Sequence, residues 1–301
     1  MRVLCVMVSI LLVSTALQAR SVQLITDHIG SSPKMIAVGN IEGIYSGPMS
    51  VLDNPAGIVS DTLKIGFMTT QLSDDQSTFY QAGVTVPWLS GNIGFGVINL
   101  SSQNLDKTAE TQGGRYFSES TFGTYERLFT VAYAQPLQKG MSIGAAVKFF
   151  DQNLYESRGS GYNMDIGAVW EESDKKFTVG VKNIFPNLKV KYSNNQNELN
   201  FPLQLVAGTR WDISGIGVLG QLKYIPESKV LLKSVGLDYI DSIGLSLHAG
   251  WKEVLANQTV HNTYGCGLGV SWNQLAIQAG YELSEFMEQN ARQYIQIEVS
   301  I

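Results

Sequence analysis

Tyr294-Ile295-Gln296-Ile297-Glu298-Val299-Ser300-Ile301 alternates in character without a break. Successive side chains of a strand point to opposite faces, so this run reads as a strand with Ile295, Ile297, Val299 and Ile301 on one face and Gln296, Glu298 and Ser300 on the other. The same period recurs upstream. Met141, Ile143, Ala145, Val147 and Phe149 form an apolar face opposite Gly144 and Lys148. Ile243, Leu245, Leu247, Ala249 and Trp251 stand against Gly244, Ser246, His248 and Gly250. Leu275, Ile277, Ala279, Tyr281 and Leu283 stand against Gln278, Gly280 and Glu282.

About fourteen such segments, each long enough for a tilted strand to cross a bilayer, follow Leu63. They span 63-71, 77-88, 91-101, 123-135, 139-152, 161-171, 175-184, 201-212, 214-225, 230-241, 242-252, 261-273, 274-284 and 291-301. A soluble sandwich would also alternate. The connections separate the two architectures. Glu171 to Asp174, the Asp212-Ser214 turn and the Trp272-Asn273 corner are short, whereas Ser102 to Phe122, Gln152 to Ser160 and Phe185 to Asn200 are long and polar. Short turns on one side and long loops on the other describe an all-β, antiparallel, up-and-down transmembrane β-barrel. Trp88, Trp170, Trp211, Tyr224, Tyr239, Trp251, Trp272 and Tyr281 fall near strand ends, where an interfacial girdle sits. A last strand ending flush on a hydrophobic residue resembles the signal that the barrel-assembly machinery reads, so that machinery and outer-membrane lipid are the expected partners.

Composition agrees. The chain has 301 residues, 44% of them hydrophobic, yet its mean hydropathy is only +0.02. Apolar and polar residues are therefore interleaved, and the longest apolar stretch is Val3 to Leu17. With Arg2 before it and Ser14-Thr15-Ala16-Leu17-Gln18-Ala19 after it, that stretch reads as a secretory signal peptide, residues 1–19. Its removal would take Cys5 and leave Cys266, a small lipid-facing residue, as the one cysteine, so no intrachain disulfide is expected. Net charge moves from -5 to -6 on losing Arg2, which excludes nucleic acid as a partner, because phosphate binding needs a basic face.

Residues 20–62 do not alternate. Ser46 to Asp53 predicts a short helix with Pro48 in its first turn, and Asn54-Pro55-Ala56-Gly57 predicts a stop and a tight turn. This segment is expected to plug the lumen of a barrel formed by residues 63–301. The inward positions Gly66, Gly83, Gly94, Gly144, Gly167, Gly180, Gly208, Gly244, Gly265, Gly267 and Gly280 leave it room. The polar inward positions are Lys148, Asp165, Lys182, Arg210, Lys223, Asp238, His248, Glu282 and Glu298. They are expected either to line a route or hold the plug, or to satisfy one another across strands. His28, His248 and His261 lie far apart without metal-ligand spacing. Gly265-Cys266-Gly267-Leu268-Gly269 lies inside a strand pattern and not before a helix, so no catalytic residue, metal or cofactor is expected.

Lys34-Met35-Ile36-Ala37-Val38-Gly39 and Asp53-Asn54-Pro55-Ala56-Gly57 before a first strand resemble the N-terminal pattern of the PorV/PorQ family, a branch of the FadL-like outer-membrane proteins. The resemblance continues through Thr130 to Leu137, Gly140 to Lys148, Asp165 to Trp170, Val179 to Ile184 and Phe201-Pro202-Leu203. It implies a fourteen-stranded barrel with its N-terminal segment tucked inside as a hatch. It also implies one of two non-enzymatic uses: passage of hydrophobic solutes across the outer membrane, or service to a type IX-like secretion apparatus. A general porin is the third possibility, disfavoured because residues 20–62 suffice to block the lumen.

Overall fold

In the computed structural model, residues 29–71, 77–110, 114, 116–193, 198–256, 259–285 and 291–301 are described. The expected signal peptide and residues 20–28 lie outside them. Among the described residues sixteen strands form one sheet. They are β1 Lys64–Gln71, β2 Ser77–Trp88, β3 Gly91–Glu110, β4 Tyr116–Pro136, β5 Met141–Leu154, β6 Ser157–Glu172, β7 Lys175–Lys182, β8 Lys189–Tyr192, β9 Glu198–Asn200, β10 Gln204–Ile213, β11 Ile216–Ile225, β12 Val230–Ile240, β13 Leu245–Ala256, β14 Thr259–Trp272, β15 Leu275–Ser284 and β16 Ala291–Ser300. Fourteen of them close into an antiparallel barrel. The seam pairs β1 with β16, Lys64 opposite Ser300 through Gln71 opposite Gln293. The remaining two, β8 and β9, form a small arm beside the outer half of β6, with Ser160 opposite Lys191.

Closure pairs each of the fourteen barrel strands on both sides, and the outer face is apolar: Phe67, Phe95, Phe129, Val131, Val147, Phe149, Leu247, Leu268, Ile277 and Ile297 are all exposed. A soluble protein would not leave so continuous an apolar band in water. Exposed Trp88, Trp170, Trp211, Tyr239 and Trp272 all stand near the short turns, and Trp170 stacks on Phe177 at 5.3 Å between ring centroids. The short-turn end thus carries an aromatic girdle. The fold is that of an outer-membrane barrel. Val131→Arg, in the middle of the apolar band, is expected to lower stability by about 2–4 kcal/mol. The same change at Thr121, beyond the band, should stay within about 0.5 kcal/mol; denaturant unfolding from lipid vesicles measures both.

Three of the long polar connections prove to be structured. β3 and β4 run on as a paired hairpin to Glu110 opposite Tyr116, with register shifts at Ser102/Leu105 and Lys107/Thr108. The 152–160 connection is a tight turn joining Leu154 to Ser157, and 185–200 contains β8 and β9. Beyond the bilayer both faces of a ladder meet water, so these strands need no apolar alternation and the period-two signal vanishes.

Residues 29–58 pack against the inward face of the strands, and the chain emerges at the exposed Asp61 and Thr62. The packed stretch carries a short helix α1, Pro33–Ala37, whose N-cap Ser32 accepts from Met35 N, and two 3-10 turns, Pro48–Leu52 and Pro55–Ile58. The helix expected over Ser46 to Asp53 is thus the tighter 3-10 form. Of the inward glycines expected from alternation, Gly244 is misassigned: it sits in a turn at φ 90°, where a Cβ would stand 2.1 Å from Ser271 O.

Candidate functional site: the interface between the N-terminal segment and the barrel wall

A belt of inward glycines runs round the wall, one strand after another: Gly66 faces Gly83, Gly83 faces Gly96, Gly144 faces Gly167, Gly236 faces Gly250 and Gly267 faces Gly280. The segment lies on this belt. A Cβ added to Gly83 would stand 2.3 Å from Pro48 O, to Gly144 2.5 Å from the Pro55 carbonyl carbon, to Gly250 2.1 Å from the Val38 carbonyl carbon, and to Gly265 2.6 Å from Ile36 O. Where the contact is side chain instead, Val51 and Leu52 fill the space over Gly96, and Ala37 that over Gly267. The contact is largely main chain against main chain, closer than any wall bearing side chains would allow.

The Asn54-Pro55-Ala56-Gly57 run sits in this belt, entirely buried. Asn54 caps the second 3-10 turn by accepting from Ala56 N at 3.1 Å, and its Nδ2 donates to Val179 O of β7 at 3.3 Å. Ser142 of β5 donates to Ala56 O at 2.9 Å.

Charge fastens the segment where glycine seats it. Glu42 is buried, and its two carboxylate oxygens receive Lys223 Nζ at 2.7 Å and Lys182 Nζ at 3.0 Å, from β11 and β7. Its own backbone N donates to Gln221 at 2.6 Å, and Thr178 donates to its carbonyl at 3.2 Å. Burial alone would raise the Glu42 carboxyl, but Lys182 and Lys223 outweigh it and hold it at about 2. Asp53, which accepts from Ser31 Oγ at 3.1 Å and Asn54 N at 2.6 Å, is pushed up to about 6 by burial and then by the charge of Glu42.

The two groups bend stability in opposite directions. Glu42 falls below its ordinary 4.5, so its contribution is present above that value and is lost as pH drops toward 2. Asp53 rises above its ordinary 3.8, so its contribution is present below that value and is lost as pH climbs through 6. Seating of the segment, read by labelling of a Ser31→Cys variant, is therefore expected to be tightest at a pH between about 3.8 and 4.5 and to weaken from there up to about 6. Asp53→Asn should abolish the loss on the alkaline side only.

The other polar inward residues divide between wall and segment. Lys148 pairs with Asp165 at 2.8 Å and donates to Asn183 at 2.6 Å. Arg210 pairs with Asp238 at 3.1 Å. Tyr45 of the segment donates to Asp238 at 2.9 Å and lies 3.4 Å from His248 Nδ1. Glu282 receives Tyr294 OH at 2.9 Å, with Lys252 Nζ 3.5 Å away, and Glu298 stands beside Gly47. Mutual satisfaction across strands therefore describes Lys148, Asp165 and Arg210, whereas Lys182 and Lys223 are turned to the segment. Glu42 is the residue that reading by alternation misses, because the segment has no period.

On the long-connection side of the belt the inner wall changes character. Phe79, Ile98, Leu128 and Phe150, from β2 to β5, form with Leu52 and Ile29 of the segment, Val190 of β8 and Phe201 just after β9 one buried apolar cluster. Phe150 meets Phe201 edge to face at 5.9 Å. Below it, among Glu42, Asp53, Gln81, Leu128, Lys148 and Lys182, a cavity of about 20 Å³ remains, room for a water molecule and not for a solute.

The chain superposes on the Pseudomonas putida toluene transporter TodX with a TM-score of 0.62 at 12% identity, over 90% of this chain and 96% of that one. The fold is FadL-like. A Pseudomonas aeruginosa FadL homologue matches with a TM-score of 0.59 at 9% identity, over 89% of this chain and 97% of the other. No family model and no curated protein matches the chain. This FadL-like barrel thus shares its architecture with transporters and channels across almost its full length, at identities that carry the fold alone.

Proposed function

We propose that the protein admits hydrophobic solutes across the outer membrane, with the segment 29–62 as the closure that must shift for passage. The apolar inner strip of Phe79, Ile98, Leu128 and Phe150 carries this reading, because it leads from the outer half of the lumen to Leu52 of the segment. A general porin has polar walls around a water-filled lumen, so an apolar strip meeting a seated segment disfavours that use. The matched TodX structures, those of a toluene transporter and monoaromatic hydrocarbon channel, point the same way. Assignment to the PorV/PorQ branch, on the Asn54-Pro55-Ala56-Gly57 run, belongs to this proposal; its competing use is as a membrane-embedded partner of a type IX-like secretion apparatus.

Uptake of a radiolabelled monoaromatic hydrocarbon should fall severalfold on deleting the gene, and Ile98→Asn with Leu128→Asn should reproduce the loss without altering barrel folding. Unchanged uptake, with secreted proteins stranded in the periplasm, would reject transport in favour of secretion. A large steady conductance from the intact protein in planar bilayers would reject the closure.

A further inference from the structure

The outer face of β3 to β6 changes abruptly along one line. Val97, Phe129, Phe149 and Tyr162 stand side by side in register as an apolar row, of which Phe129, Phe149 and Tyr162 are exposed. The next row outward reads Asn99, Arg127, Asp151, Ser160 and Lys191. The row beyond it holds Tyr125 and Asn153, then Arg158. The bilayer's hydrocarbon therefore ends between the first and second rows, and the cations stand at head-group height.

Their side chains are arranged and not merely present. Arg127 lies over the Tyr125 ring at 4.2 Å and donates to Asn99 at 3.0 Å. Arg158 grips Asp151 with two contacts at 3.2 and 3.4 Å, leaving Asp151 buried and the guanidinium largely exposed. Lys189 and Lys191 are exposed on the arm, whose Val190 and Tyr192 turn inward to the apolar cluster. The acidic positions are Asp151, held by Arg158, and Glu198, which stands opposite Lys191 in the register of the arm. Four cations thus outnumber two acids over three strand spacings, about 15 Å.

The far side of the barrel provides the contrast. There the last apolar row, Val235, Trp251 and Tyr264, is followed outward by Lys233, Glu253 and Asn262, with Glu285 bonded to Asn262 at 3.0 Å. One lysine faces two carboxylates, and Lys233 is committed to Glu253 at 2.8 Å.

From this asymmetry we infer that the β4–β6 face with its arm, through Arg127, Arg158, Lys189 and Lys191, is a docking site for the phosphorylated head group of an outer-leaflet lipid. Arginine's fork suits phosphate, basic clusters at a membrane boundary select phosphorylated lipid heads, and aromatic residues at that depth hold the sugar–acyl boundary. The apolar rows below receive the acyl chains of the same molecule. The inference is independent of what crosses the lumen.

Native mass spectrometry of the detergent-extracted full-length protein, incubated with diphosphoryl lipid A or its dephosphorylated form, tests it. At least tenfold more of the phosphorylated lipid should be retained. Arg127→Gln with Arg158→Gln and Lys191→Gln should lose that preference, whereas Lys233→Gln on the far side should keep it. Heat-modifiable gel mobility reports folding of the variants. A salt titration of the unmodified protein adds a measurement that needs no variant, with retention expected to fall steeply as salt rises. Equal retention of both lipids, retention by the triple variant, salt-insensitive retention, or equal displacement by inorganic phosphate at the lipid's concentration would each overturn the inference.

Discussion

Glu42→Ala should be the most disruptive single change in the lumen. It leaves Lys182 and Lys223, both at most a tenth exposed, without the carboxylate between them. Breaking a buried ion pair from one side costs about 3–5 kcal/mol, because the remaining charges stay desolvated without the carboxylate they faced. The strands are held by their own ladders, so the loss should appear in the segment more than in the barrel. Labelling of a cysteine placed at Ser31 should rise by orders of magnitude while heat-modifiable mobility of the barrel persists. Glu42→Leu combined with Lys182→Met and Lys223→Met removes all three charges together and should recover most of the seating. Labelling that stays slow in Glu42→Ala would mean that the glycine belt alone holds the segment.

The belt itself predicts the second large effect. Gly250→Val would drive a branched side chain into the Val38 carbonyl, already 2.1 Å from where a Cβ would lie. The atoms it meets are main chain and cannot rotate aside, so a cost at or above the usual 1–3 kcal/mol of overpacking is expected. Gly180→Ala is the matched control, since the nearest atom to its added Cβ would be 3.8 Å away. Hydrogen exchange of α1 should accelerate in the first variant and not in the second. If both exchange alike, the close approach at Gly250 is not what seats the helix.

Much of this architecture was legible because a membrane barrel imposes a strict period. All fourteen crossing segments emerge from alternation, and the 77-88 segment coincides with β2 to the residue. What alternation could not show lies where the constraint lapses. The paired extensions of β3 and β4 have water on both faces, and the arm at β8 is too short for a period to declare itself. Glu42 sits in irregular backbone, where its meaning depends on which wall lysines stand opposite. The helix α1, opened by Ser32 as a cap with Pro33 after it, went unread, because five residues are too few for a helical stripe.

The seam has one further consequence. Lys64–Gln71 and Ala291–Ser300 are the most distant partners along the chain, so the entropy of bringing chain ends together opposes this ladder more than any other in the ring. The segment touches both sides of that gap, Met49 lying against Gly66 on β1 and Pro33 against Gly280 on β15. A segment seated against strands on both sides of the seam gives them a common surface, so a variant that loosens it is expected to slow closure of the ring.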